Sequence, residues 1–128
     1  MRTARRDEEG VVSLEVAVVF PAALVLILLV VQAAVWQHGM SLARAAAQDG
    51  ARAARIEGGS SAAGRARALA VIGPDRSIQA LQVMATRGTG VSTVTVTGHS
   101  VAVVPFFHPL IHATSVAPNE RYLSPLER

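Results

Sequence analysis

The chain has no cysteine and no lysine among its 128 residues, and only five aromatic side chains. Without cysteine there is no disulfide framework, no thiolate metal site and no cysteine nucleophile, and neither redox compartment is favoured. Without lysine, twelve arginines carry all the fixed positive charge. They are scattered, and the few aromatics are not interleaved with them, so the footprint of a nucleic-acid site is missing. No serine sits in a G-x-S-x-G elbow. Gly88, Gly90 and Gly98 read as turn glycines rather than a phosphate-binding loop. His108 and His112 are four apart, but Pro109 lies between them and opposes the helix on which that spacing would make a metal pair. The nearest carboxylate, Glu120, is eight residues further on. The expectation is therefore no enzyme, no cofactor and no metal.

The charge is unevenly placed. Arg2, Arg5 and Arg6 cancel Asp7, Glu8 and Glu9, while after His38 nine arginines face five acids, a net +4. That mild basicity describes a solvated arginine-rich surface first, and contact with lipid headgroups or an anionic cell-wall polymer second.

What is present is an apolar run. Val16 to Met40 is 25 residues without a charge, and the strongly apolar part, Val16 to Trp36, is 21 residues. At ~1.5 Å per residue such a helix crosses the ~30 Å hydrocarbon core. Trp36, Gln37 and His38 then read as a membrane–water boundary. The arginines ahead of the run favour a cytoplasmic N-terminus, against which Arg44, Arg52 and Arg55 count on the other side. The expected transmembrane segment is 11–38, behind a leader of residues 1–10.

One carboxylate, Glu15, sits five residues after Gly10 at the start of this run. A charge at the bilayer centre costs roughly 2.5 to 3.5 kcal/mol. Glu15 either snorkels to the interface, is tolerated as a stray polar residue, or neutralises a cation within a membrane assembly. A cut after Gly10 would create such a cation, the α-amino group of Val11. That amine on one subunit could pair with Glu15 of a neighbour, offsetting the cost of burying both.

The helix is expected to continue past the membrane. Met40 to Ile56 is rich in Ala and Arg, strong helix formers, with Gly50 as the weak link at ~1 kcal/mol. Asp49 and Arg52 are three apart and can pair. Ala45, Ala46, Ala47, Gly50, Ala51, Ala53 and Ala54 permit close helix approach. One helix over about Val11 to Glu57 is thus read, with a kink or lost hydrogen bond at Pro21 and an extension over 39–57. Residues 58–61 (GGSS) form a linker.

Residues 62–117 read as a small α+β domain. Ala62 to Ile72 is a short helix closed by Gly73 and Pro74. Ser77 to Thr86 leans towards a strand, and Val91 to Thr97 is the clearest strand, with Val94 and Val96 on one face and Thr93, Thr95 and Thr97 on the other. Gly98 to Val104 continues it or returns as another strand. Ile111 to Ala117 is a last strand, for about three antiparallel strands that need the long helix for support. Phe106, Phe107 and Leu110 are expected to cap the small core, with an exposed partner-binding loop as the other reading. Residues 118–128 read as a flexible tail.

Three features in register resemble the TadE-like proteins of tight-adherence (Flp) pilus systems. They are Gly10 with Glu15, which fits the class III signal of type IV pilins and pseudopilins; Pro21, followed by AALVLILLVVQ; and QDGARAAR (Gln48 to Arg55), which holds the acid-Gly-Ala-Arg element Asp49, Gly50, Ala51, Arg52. The chain departs from the family at Val16, where an aromatic is commoner, and in its acidic leader. The resemblance implies a prepilin peptidase that cuts between Gly10 and Val11 on the cytoplasmic side. It also implies a minor pilin or pseudopilin that assists assembly of a pilus or a related secretion fibre. Its partners would be other pilins, inner-membrane assembly proteins and membrane lipid, with the C-terminal domain outside the cytoplasm and possible exposure at the cell surface or pilus. The alternative is a secreted or anchored small binding domain with an ordinary signal sequence, cut after Val31-Gln32-Ala33.

Overall fold

The computed structural model describes residues 4–120, with side chains described from residue 13 onward. Helix α1 runs from Ala4 to Arg55, α2 from Ser61 to Ile72, and strands β1 (Ile78–Arg87), β2 (Val91–Ser100) and β3 (Leu110–Pro118) follow. The strands form one antiparallel sheet in the order β1-β2-β3. The chain is α+β, as its sequence pattern requires.

Helix α1 starts earlier than the expected Val11 and ends two residues before the expected Glu57. Its end has a clear cause. Gly58 takes φ +75°, a left-handed conformation that glycine adopts without strain. The guanidinium of Arg87, reaching across from β1, donates to the carbonyls of Ala54 and Ile56. The Ala54 carbonyl is among those that a helix end leaves without an intrahelical partner, and Ile56 O also accepts from Gly59 N–H at 2.9 Å. Ser60 then caps α2, its hydroxyl accepting from Ala63 N–H at 3.0 Å. At Pro21 the helix continues without a break, although the ring nitrogen has no hydrogen to donate to the Ala17 carbonyl.

The head is two layers, α1 and α2 on one face of the sheet. Its core joins Ala43, Ala46, Ala47 and Ala51 of α1, Ala68 and Ile72 of α2, Ile78 and Val83 of β1, Val94 and Val96 of β2, and Ile111 and Ala113 of β3. The inward row of β2 is the predicted one, with Val94 and Val96 buried and Thr93, Thr95 and Thr97 half-buried on the other side. The helical side of this core is built almost wholly from alanine and glycine, and the sheet supplies the bulk. That division lets α1 sit close to its neighbours. A Cβ at Gly50 would lie 2.8 Å from the Gly64 carbonyl oxygen, and one at Gly64 would lie 2.9 Å from the Gly50 oxygen. The small-residue stretch read as a surface for helix association is therefore largely consumed inside this chain. Ala46, Ala47, Gly50, Ala51 and Ala54 are buried, and of this stretch only Ala45 is exposed, with Ala53 half-buried.

Two other expectations need correction. Gly98–Val104 does not return as a second strand; it continues the first as far as Ser100. β2 ends at Ser100, and residues 101–104 leave the sheet because their backbone is held by α1 instead. The tail does not loosen at Pro118. Asn119 N–H donates to Gly90 O at 2.9 Å, its side-chain amide donates to Gly88 O at 2.7 Å, and Ser92 donates to its side-chain oxygen at 2.6 Å. Glu120 N–H donates to Arg55 O at 3.0 Å. The rest of the expected tail, 121–128, lies outside the described residues.

Candidate functional site

The functional features lie along α1, which changes character at Gln32. From Ser13 to Val31 every described side chain is exposed except Leu28, which is half-buried. This stretch includes Leu14, Val18, Phe20, Leu26 and Val30. An 18-residue window of the helix has mean hydropathy 2.9 and none of its residues is buried. An apolar helix with no protein around it is matched to lipid or to neighbouring helices rather than to water.

Glu15 lies at the start of this bare segment. It is exposed, on a face shared with Val16, Val19, Phe20 and Ala23. It makes no hydrogen bond or ion pair within the described residues. Pro21 lies less than two turns further on. The backbone at Gly10 and Val11 is helical, so the expected cut site stands on the same helix as Glu15. The fold does not bring Asp49, Gly50, Ala51 and Arg52 near Glu15; they sit more than thirty residues along α1, inside the head. There Asp49 accepts from Arg52 at 3.2 Å and from Arg67 of α2 at 3.3 Å. Gly50 and Ala51 are buried in the core. This element thus joins α1 to α2: the acid ties the two helices at their rim and the glycine allows their backbones to touch.

Gln32 is the residue that sequence reasoning missed. Counted as one more member of the apolar block, it is 2% exposed and, among the described residues of α1, the most strongly buried polar side chain. Its amide donates to Val101 O at 3.0 Å, and its carbonyl oxygen accepts from Val103 N–H at 2.7 Å and Val104 N–H at 3.1 Å. One side chain thereby does for residues 101–104 what a strand partner would have done. A signal was present. Gln32 precedes Gly39, Ala43, Ala46 and Gly50 at intervals of seven, four, three and four, so it falls on the same helix face as the core seam.

The head accordingly takes hold of α1 earlier than the boundary read at Trp36, Gln37 and His38. Trp36 Nε1 donates to Leu110 O at 3.0 Å. His38 Nε2 lies 3.0 Å from Asp75 Oδ2, which joins α1 to the turn before β1. The hydrogen bond with His38, reinforced by the side chain and backbone of Ser77, lowers the Asp75 pKa to about 2. The carboxylate therefore contributes stability above about pH 3.8, its unperturbed value, and loses it as pH falls towards 2.

Phe106 and Phe107 do not cap the core. Phe106 is 99% exposed, Phe107 51% and Leu110 62%. His108 is exposed in the same loop, and His112 is exposed on β3 beside Thr114. Among the described residues no three His, Cys, Asp or Glu side chains gather where a metal ion could bind.

The family model for TadE-like proteins matches residues 10–52, the stretch that contains Gly10, Glu15, Pro21 and the Asp49–Arg52 element. This similarity relates the chain to tight-adherence pilus systems, and the one N-terminal helix among the described residues that is long and apolar enough to cross a membrane fits a single-pass membrane protein within one. No curated protein and no solved structure gives a significant match.

Proposed function

We propose that this chain is a TadE-like minor pilin or pseudopilin, a single-pass membrane subunit that assists assembly of a tight-adherence pilus or a related secretion fibre. The role is structural and involves no catalysis by this chain. The observation that carries the reading is the division of α1: a bare apolar segment over 13–31 with a carboxylate near its start that has no partner among the described residues, and a segment from Gln32 to Arg55 that is built into the core of a folded head. An anchor that is also a core element transmits position, because the head cannot rotate or tilt independently of the segment below it. In this reading a prepilin peptidase cuts after Gly10 on the cytoplasmic face, and the new amine of Val11 pairs with Glu15 of an adjacent subunit. The head then lies outside the cytoplasm, available to other pilins and to inner-membrane assembly proteins.

The alternative, an ordinary secreted domain cut after Ala33, is opposed by Gln32. That cut would remove the side chain that holds residues 101–104, and with it one wall of the head. The test of the favoured reading is Glu15→Ala. Recovery of the chain with its partner pilins from membranes, and the number of pili, are expected to fall severalfold while membrane insertion is unchanged. Unchanged co-purification and unchanged piliation would remove Glu15 from the mechanism.

A further inference from the structure

The loop over residues 105–109, PFFHP, is built in a way that its own fold does not require. Val104 to Phe107 form a turn closed by Phe107 N–H donating to Val104 O at 3.2 Å, with Pro105 in the second position. The third position, Phe106, has φ +66°. Glycine or asparagine normally occupies a turn position with positive φ, and a bulky aromatic there is a strained choice. The strain is not repaid by packing, since Phe106 is 99% exposed. Such an outlier points to a contact made outside the chain.

The place of the loop identifies that contact. Gln32 fixes residues 101–104 against α1. Phe107 and Pro109 face Leu29, Gln32, Ala33 and Trp36 across an open apolar groove of about 240 Å³. Val11 to Val31 is 21 residues, about 30 Å of helix, so a membrane spanned by that segment has its far boundary at the level of Gln32. The loop therefore stands at the depth where aromatic side chains favour the boundary between headgroups and acyl chains.

We propose that residues 105–109 seat the head on the lipid bilayer that α1 crosses. Phe106 and Phe107 enter the headgroup–acyl boundary, and lipid methylenes occupy the groove beside Leu29 and Trp36. The head then has two attachments to the membrane, the helix and the loop, which fixes its height and its rotation about the helix axis. The inference rests on the membrane-spanning reading of residues 13–31.

Because the chain has no cysteine, single spin labels report position without background. The full chain would be reconstituted in phosphatidylcholine vesicles with a label at His108→Cys, which keeps both phenylalanines, and in separate samples at Val18→Cys and Glu57→Cys. The label at 108 is expected to collide with oxygen dissolved in lipid rather than with a water-soluble nickel reagent, as the label at 18 does, and opposite to the label at 57. Adding Phe106→Ser and Phe107→Ser to the 108-labelled chain should shift that label to the aqueous reagent. A label at 108 open to the aqueous reagent, with 18 still in lipid, overturns the seating while leaving the span intact. Shielding of 108 from both reagents means that a second copy of the chain covers the loop, and also overturns it. Aqueous accessibility at 18 would instead remove the spanning reading on which the proposal rests.

Discussion

Gly50→Val is expected to break the head. The first carbon of any side chain at Gly50 would stand 2.8 Å from the carbonyl oxygen of Gly64, 3.1 Å from Ala68 Cβ and 3.2 Å from Val94 Cγ1. The nearest of these is backbone, which has no rotamer through which to withdraw. Relief requires α1 and α2 to separate, and separation opens the alanine seam that is the helical half of the core. Overpacking of this kind costs typically 1 to 3 kcal/mol, and a backbone obstacle puts Gly50→Val at about 3 kcal/mol or more. The slightly better helix propensity of valine returns only a few tenths. For a head this small the loss is a large fraction of its stability. Gly90→Ala, at a position with open space around it, should change stability by less than about 0.5 kcal/mol. Denaturant titration of the full chain in detergent micelles, followed by proteolytic resistance of the head, measures both. Equal midpoints for the two variants would mean that the α1–α2 contact is not as close as described.

Gln32→Leu is the second large effect, and it should be local. Leucine suits the helix and the apolar run, so anchor and helix are untouched. The cost falls on Val101 O and the N–H groups of Val103 and Val104, which lose their partner at a part-buried site beside the open groove lined by Trp36, Phe107 and Pro109. Leaving buried backbone groups unsatisfied costs about 1 to 3 kcal/mol each. The loop can recover part of this by opening to water, so a net loss of about 2 to 4 kcal/mol is expected. Amide exchange should accelerate at Val103 and Val104, while amides of β2 before Ser100 keep most of their protection. Uniform acceleration through the sheet would show that the loop and the sheet are one cooperative unit.

These two residues show where the sequence was legible and where it was not. The elements that have strong local signals were readable: the apolar run by length, the short helix by the Gly73–Pro74 stop that closes it, and β2 by the alternation of Val94 and Val96 with threonines. The Asp49–Arg52 pair followed from its spacing. What the sequence hid was tertiary. Alanine and glycine over 43–54 announce close helix contact but not whose helix, and the answer is α2 of the same chain. Gln32 was hidden by its neighbours, because a window average that finds a membrane segment also dilutes a single amide. The exposure of Phe106 ran against composition, since an aromatic in a chain with so few is expected inside. The roles of Gly10 and Glu15 depend on a peptidase and on neighbouring subunits, so their logic is carried by the family resemblance and by the absence of any partner for Glu15 within the described residues.

The central claim is that α1 is retained whole beyond a cut at Gly10, as the membrane anchor and as the core helix of the head. The most direct test is N-terminal sequencing, with intact mass, of the mature chain recovered from membranes. A chain that begins at Val11, and keeps its full length when Gly10→Ala blocks the cut, is the predicted result. A mature chain that begins at Ala34 would contradict the account, because neither the anchor, Glu15 nor Gln32 would then belong to the working protein.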